Sequence, residues 1–191
     1  KGIADEKLKI LDIGLDNSSV VNAKLIYQNH KEYHGIDIVD INQAEKKIDK
    51  FFLMNLEDLD FDIIEDEYYD LILMNHVLEH TINGHEIIDK LSAKLKLGGH
   101  FFIEFPNVNS LYKRNYFTYH FHCDSTHKRI YKVSDIANIL LLNNCEIISA
   151  GYSKPIWKYI YLAPKLIIDL ILRNEMGASL AHISNKISHV Y

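Results

Sequence analysis

Cysteine is scarce in this chain of 191 residues: there are two, Cys123 and Cys145, and neither belongs to a Cys-x-x-Cys pair. A disulfide framework and a paired-cysteine zinc knuckle are thereby excluded, and the composition suits a reducing compartment. No stretch concentrates Lys and Arg, and the formal net charge is −5, so the electrostatic footprint of a nucleic-acid binder is missing. The expected partner is a small molecule or a protein. No signal-peptide pattern opens the sequence, which with the few cysteines points to the cytoplasm. Internal repeats, low-complexity segments and a His-Glu-x-x-His helix are all lacking. So is an unbroken apolar run of membrane length: the richest stretch, "PIWKYIYLAPKLIIDLIL" at 155–172, is interrupted by Lys158, Pro164, Lys165 and Asp169 and will not span a bilayer.

What is present is a hydrophobic content of 48%, enough at this length for one well-buried domain. Short apolar runs alternate with amphipathic segments, the sequence sign of β-α-β units around a parallel sheet. The runs "LKILDI" (8–13), "HGIDI" (34–38), "KFFLM" (50–54), "YDLILM" (69–74) and "HFFIEF" (100–105) are dense in β-branched and aromatic residues, as strands covered on both faces should be. Between the fourth and fifth, Ile88, Leu91 and Leu95 fall at i, i+3 and i+7, a helical stripe for which Gly98-Gly99 supplies a stop. A further helix is expected from Ser134, as N-cap, to Asn143-Asn144, followed by a strand over "CEIISAGY" (145–152).

In an open parallel sheet a ligand sits outside the carboxyl ends of the strands, so the residues that follow each strand carry the functional expectation. Here they are Gly14-Leu15-Asp16-Asn17, Asp37, Asn55, Asn75-His76 and Pro106-Asn107. Taken singly each could be an ordinary polar loop residue; together they gather polar and ionisable groups at one edge.

Several motifs, in order, resemble the class I S-adenosylmethionine-dependent methyltransferases, especially those acting on quinone precursors, sugars and similar metabolites. "ILDIG" is similar to the family's first-strand motif and "GIDI" to its second-strand acidic motif. "NLEDLDF" and "YYDLILMNHVLEH" resemble the segments after strand three and at strand four. "LKLGGHFFIEFPN" and "DSTHKRIYKVSDIANILLLNNCEII" resemble the later turn and the late histidine segment, so the likeness runs from about Leu8 to Tyr152. It implies a Rossmann-like, doubly wound α/β fold with a mostly parallel seven-stranded sheet and helices on both faces. It also implies one methyltransferase domain over 1–153, with 154–191 as its apolar helical cover and tail. S-adenosylmethionine would be the cofactor and S-adenosylhomocysteine the product, with the methyl group moving to a small-molecule acceptor, in first place an oxygen.

The resemblance assigns roles to numbered residues. Asp12 and Gly14 belong to the first-strand motif, where Gly14 would let the backbone approach the cofactor; the alternative is a simple tight turn. A helix beginning near Asn17-Ser18 would aim N–H groups at the cofactor's carboxylate. Asp37 would accept hydrogen bonds from the ribose hydroxyls, with Ile38 beside it and Asp40 as the alternative register. Asn55 would accept from the adenine amino group, or simply cap a loop, and Leu56 would offer an N–H and an apolar side chain. Asn75 and His76 would border cofactor and substrate, and His80 resembles a structural histidine. If the acceptor must lose a proton, His127, His76 and Asp124 are the candidate bases, with His127 and His76 taken as the catalytic pair. The 155–172 segment then reads as a cover on the substrate side, a dimer contact or a surface that rests on a membrane.

Two rival readings follow from the same residues. "YHFHCDSTH" places His120, His122, Cys123, Asp124 and His127 in one stretch, a metal-site alternative; the family likeness already accounts for part of it, and no metal is expected. In the cofactor loop the family commonly has Gly-x-Gly-x-Gly, whereas this chain has Gly14, Asp16 and Ser18. Asp16 would narrow the loop and repel the cofactor's carboxylate, which motivates a catalytically silent methyltransferase fold that serves as a binding or scaffolding protein.

Overall fold

In a computed structural model of the chain the described residues are 7–15, 30–40, 48–111 and 121–151. Asp16, the helix expected from Asn17-Ser18, His120, the 155–172 segment and the tail lie outside them. By internal contacts the chain divides into two compact units, Lys1–Pro106 with Lys128–Ile148, and Asn107–His127 with Ser149–Tyr191.

The first unit is built on five strands, β1 (Lys9–Ile13), β2 (Glu32–Asp37), β3 (Lys50–Leu53), β4 (Tyr69–Asn75) and β5 (Leu95–Glu104). They form one sheet in the order β3-β2-β1-β4-β5, with every neighbouring pair parallel. All five expected runs are strands. Of the seven that the family likeness implies, five are present among the described residues. The chain steps outward from β1 through β2 to β3, then returns to place β4 on the other side of β1. The carboxyl ends of β1 and β4 therefore flank the topological switch point.

Alternation along the strands sends side chains to two apolar layers. Leu11, Ile13, Ile36, Ile72 and Met74 enter one core cluster, and Ile10, Tyr33, Leu71 and Leu73 enter the other. The first layer is closed by two helices, α1 (Gly84–Ser92) and α2 (Val133–Leu142). Ile87, Ile88 and Leu91 of α1 are fully buried against it, worth about 1.5–3 kcal/mol each in apolar burial.

Five expectations need correction. Leu95 does not continue the α1 stripe: it opens β5 opposite Tyr69, because the N–H groups of Tyr68 and Tyr69 bond the Lys94 carbonyl at 2.9 and 3.0 Å and pull the chain into the sheet. Gly98-Gly99 is consequently an irregularity within β5 and not a helix stop. Tyr69 pairs with Leu95 and Leu71 with His100, and the surplus residues of β5 are accommodated at Gly98, whose φ of +80° favours glycine. β5 is also an edge strand among those described, with Phe102 51% exposed, so its apolar run is not covered on both faces. Ser134 is not the N-cap of α2, since Lys132 holds that position and accepts from Asp135 N–H. The expected stop at Asn143-Asn144 is present, with Asn144 left-handed at φ +57° and Cys145 N–H on the Leu140 carbonyl. Beyond it, residues 145–151 form no strand: Glu146, Ile148 and Ser149–Gly151 are exposed and pair with no described neighbour.

In the second unit the described residues contain two short turns, Val108–Leu111 and Phe121–Cys123. No described helix is long and apolar enough to cross a membrane.

Candidate functional site

Three backbone hydrogen bonds extend the parallel ladder past the strand ends and hold the following residues at one edge. Gly14 N–H donates to the Ile36 carbonyl at 2.9 Å, Met54 N–H to Asp37 at 3.0 Å, and His76 N–H to Glu104 at 2.9 Å. Gly14, Asp37, Asn55, Asn75 and His76 thus share the carboxyl edge, as their positions in the sequence predict.

Gly14 is left-handed at φ +74°, and a Cβ on it would stand 2.2 Å from Cγ2 of Val77, so glycine is required there. The neighbour that demands it is this chain's own β4 loop. Asp12, one turn of the pleat earlier, is buried and accepts from the Tyr33 hydroxyl at 2.5 Å. That bond places its carboxylate on the sheet beside β2. At the end of β2, Asp37 Oδ1 accepts from Val39 N–H at 2.9 Å in an Asx turn, and Oδ2 has no hydrogen bond among the described residues. Ile38 and Val39 follow it 66% and 63% exposed, an apolar shelf next to an acceptor.

Asn55 caps the turn Leu56–Asp58, its Oδ1 accepting from Glu57 N–H at 3.1 Å, and Leu56 is buried in the first core cluster. The cap explains Asn55 without a ligand, while the second lone pair of Oδ1 stays an acceptor. Leu56 spends its side chain on the core. After β4, His76 is left-handed at φ +52° and its Nδ1 lies 3.1 Å from Oε1 of Glu79, which is 1% exposed. The hydrogen bond to Glu79 holds the His76 imidazole above its ordinary proton affinity, against the opposing effect of burial.

A cavity of about 350 Å³ lies elsewhere. Glu32 and Lys50, the first residues of β2 and β3, and Tyr69, the first of β4, line it, so it opens on the amino edge of the sheet. In a parallel sheet that is the wrong end for the expected ligand. In the second unit, His127 Nδ1 is 2.7 Å from the Phe121 carbonyl and its ring lies against Phe121, while Asp124 Oδ1 accepts from Thr126. Cys123 is exposed with a free thiol.

The sequence profile of a family described as a methyltransferase domain matches residues 2–150. The chain belongs to that methyltransferase-domain family. Among solved structures, the domain is similar to an S-adenosylmethionine-dependent methyltransferase from Mesorhizobium loti, with 16% identity over 85% of each chain and a TM-score of 0.63. It is similar to another from Archaeoglobus fulgidus, with 19% identity over 94% of this chain and 80% of that one and a TM-score of 0.54. A putative methyltransferase from Bacillus halodurans is 17% identical over 72% of this chain and 62% of its own, with a TM-score of 0.54. These likenesses show a shared Rossmann-like fold. No curated protein matches the sequence.

Sequence reasoning passed over three residues that build this methyltransferase edge. Glu57 accepts from Ile82 N–H at 2.5 Å and Asn83 N–H at 3.2 Å, fixing the entry to α1. Tyr131 accepts from Gly84 N–H at 3.0 Å, with its hydroxyl 3.1 Å from the Thr81 and Ile82 carbonyls. Glu79 stands between His76 and His80 inside "NHVLEH", and only burial separates it from any exposed glutamate; no local signal announces that.

Proposed function

We propose that this methyltransferase domain binds S-adenosylmethionine along the carboxyl edge of β1, β2 and β4 and moves its methyl group to a small-molecule acceptor, in first place an oxygen of a sugar, a quinone-like compound or another metabolite. The observation that carries the reading is the end of β2. Asp37 offers Oδ2 as an acceptor for a ribose hydroxyl, and the exposed Ile38 and Val39 offer an apolar surface for a base, within a chain whose family is established. The Asn55 cap retains acceptor capacity for an amino group, and Asn75 is the last residue of β4, beside the switch point. Asp12 supports the edge through Tyr33. Asp16 and Leu56 complete the proposed set, Asp16 from the sequence alone.

When bound, the cofactor supplies an electrophilic methyl group on sulfur. The chain's contribution is to bind and align, and to take a proton where the acceptor must lose one. His76, at the switch-point edge, and His127, in the second unit, are the proposed proton acceptors. Residues 1–153 then form the working domain, with 154–191 as its cover and 155–172 as the surface for acceptor, second copy or membrane. A cytoplasmic location is part of the proposal, and the two free cysteines support it.

Calorimetric titration with S-adenosylmethionine and S-adenosylhomocysteine tests the reading. The expected result is saturable binding, lost for the most part in Asp37→Ala with an unchanged circular dichroism spectrum. Absence of binding at millimolar cofactor would refute it and leave the silent binding protein as the better account.

A further inference from the structure

The helix α1 starts without a cap of its own. Asn83 stands at its N-cap position, yet the Asn83 side chain makes no capping hydrogen bond. The first N–H groups of a helix have no intrahelical acceptor, so they must be met from elsewhere. Gly84 N–H donates to the Tyr131 hydroxyl at 3.0 Å. Ile82 N–H donates to Glu57 Oε1 at 2.5 Å, and Asn83 N–H to Glu57 Oε2 at 3.2 Å. The glutamate that ordinarily takes the N–H of the N-cap residue lies three positions further on, and in this helix that residue is Glu86. The Asn83 N–H passes it over for a carboxylate 26 residues away in sequence. A carboxylate suits the place, since it only accepts and its negative charge is favoured at a helix N-terminus.

Glu57 joins two parts of the carboxyl edge. Its own N–H donates to Asn55 Oδ1 at 3.1 Å, so its backbone is fixed in the turn Leu56–Asp58 that Asn55 heads. Its side chain holds Ile82 and Asn83, the far end of the loop that leaves β4 after Asn75 and His76. The two segments follow β3 and β4, which are not neighbours in the sheet. Between them stand β2 and β1, whose ends present Asp37 and Gly14. Arg129 braces the same loop through its guanidinium, which donates to the Ile82 carbonyl at 2.8 Å. Lys128 Nζ lies 3.7 Å from Glu57 Oε1, an exposed ion pair that adds little by itself.

We propose that Glu57 is a positioning residue for the cofactor: by capping α1 from the turn that Asn55 heads, it fixes Asn55 against the loop after β4. The adenine side and the switch-point side of the edge then keep one spacing. The proposal deepens the function given above and rests on it for the role of Asn55. Glu57 acts through Asn55 and is assigned no contact with the cofactor or the acceptor.

Two measurements on the full chain test it. Amide hydrogen exchange by NMR, without ligand, reads the cap: in Glu57→Ala the Ile82 and Asn83 amides should exchange at least about tenfold faster, with Ile88 and Leu91 unchanged. Equal rates at Ile82 and Asn83 in the two proteins overturn the proposal. Calorimetric titration with S-adenosylhomocysteine reads the positioning: folded Glu57→Ala should bind at least about fivefold more weakly than the wild type. A cap that served stability alone would leave the affinity of the folded protein within about twofold, and that result also overturns the proposal. In an Asn55→Ala background the further loss from Glu57→Ala should stay under about twofold, whereas fully additive losses would show that Glu57 does not act through Asn55. Where Glu57→Ala does not fold, Glu57→Gln, which keeps one acceptor oxygen, takes its place with the same thresholds. No binding by the wild type refutes the function above and the positioning role with it. Binding by the wild type with unchanged affinity in Glu57→Ala refutes the positioning role alone.

Discussion

Replacing Gly14 by alanine adds one methyl group at the most constrained point of the carboxyl edge. The added Cβ would stand 2.2 Å from Val77 Cγ2 and 3.6 Å from Val77 Cβ, at a backbone φ of +74°. The two penalties are separable. A non-glycine residue in the left-handed region costs about 1–2 kcal/mol, and forcing a methyl group against a packed neighbour costs about 1–3 kcal/mol more. Gly14→Ala should therefore lose roughly 2–5 kcal/mol of stability. Val77→Ala removes the colliding Cγ2 and leaves the dihedral untouched, so in that background Gly14→Ala should cost only about 1–2 kcal/mol. The difference, a coupling of about 1–3 kcal/mol, is read from a double-mutant cycle by equilibrium urea unfolding of the four proteins. Additive losses would show that Val77 does not exclude a side chain at Gly14. A cost under about 0.5 kcal/mol for the single substitution, the usual surface value, would refute the left-handed assignment as well.

Two other outcomes follow from buried polar contacts. Tyr131→Phe orphans the Gly84 N–H that its hydroxyl receives at 3.0 Å, and thermal unfolding should show a loss of about 1–3 kcal/mol; no loss would mean another acceptor takes that N–H. His34 is buried, and burial holds its imidazole below the ordinary value of 6.5 against the opposing pull of Glu32. The folded form keeps the ring neutral while the unfolded chain protonates first. Stability contributed by the neutral ring is present above 6.5 and is lost as pH falls below that value through the folded one. Urea midpoints should fall between about pH 7 and pH 5, and His34→Gln should flatten that slope; parallel profiles would sink the assignment.

Strand positions were legible in the sequence because local density of β-branched and aromatic residues survives any arrangement of neighbours. "LKILDI" and "YDLILM" differ from their observed strands by a residue or less at each end. The polar residues at the strand ends were legible for the same reason: a residue that follows a parallel strand lies at the carboxyl edge in every such sheet. Leu95 was misread because a helical spacing cannot reveal that Tyr69 would compete for that segment as a strand partner. The cap that Asn55 makes on Leu56–Asp58 cannot be read from residue type, because an asparagine after a strand suits a cap and a ligand equally well. "CEIISAGY" carries strand residues, but a strand needs a neighbour to pair with, and composition does not report one.

The sequence by itself determined the α/β class, the order of the strands along the chain and the family, since each rests on residue type and spacing within short windows. Only the tertiary structure decided that β1 lies between β2 and β4, that Val77 fills the space beside Gly14, and that Glu79 is buried against His76. Those are contacts between segments whose meeting depends on how the whole sheet closes, and the energy that selects them belongs to burial shared among distant residues.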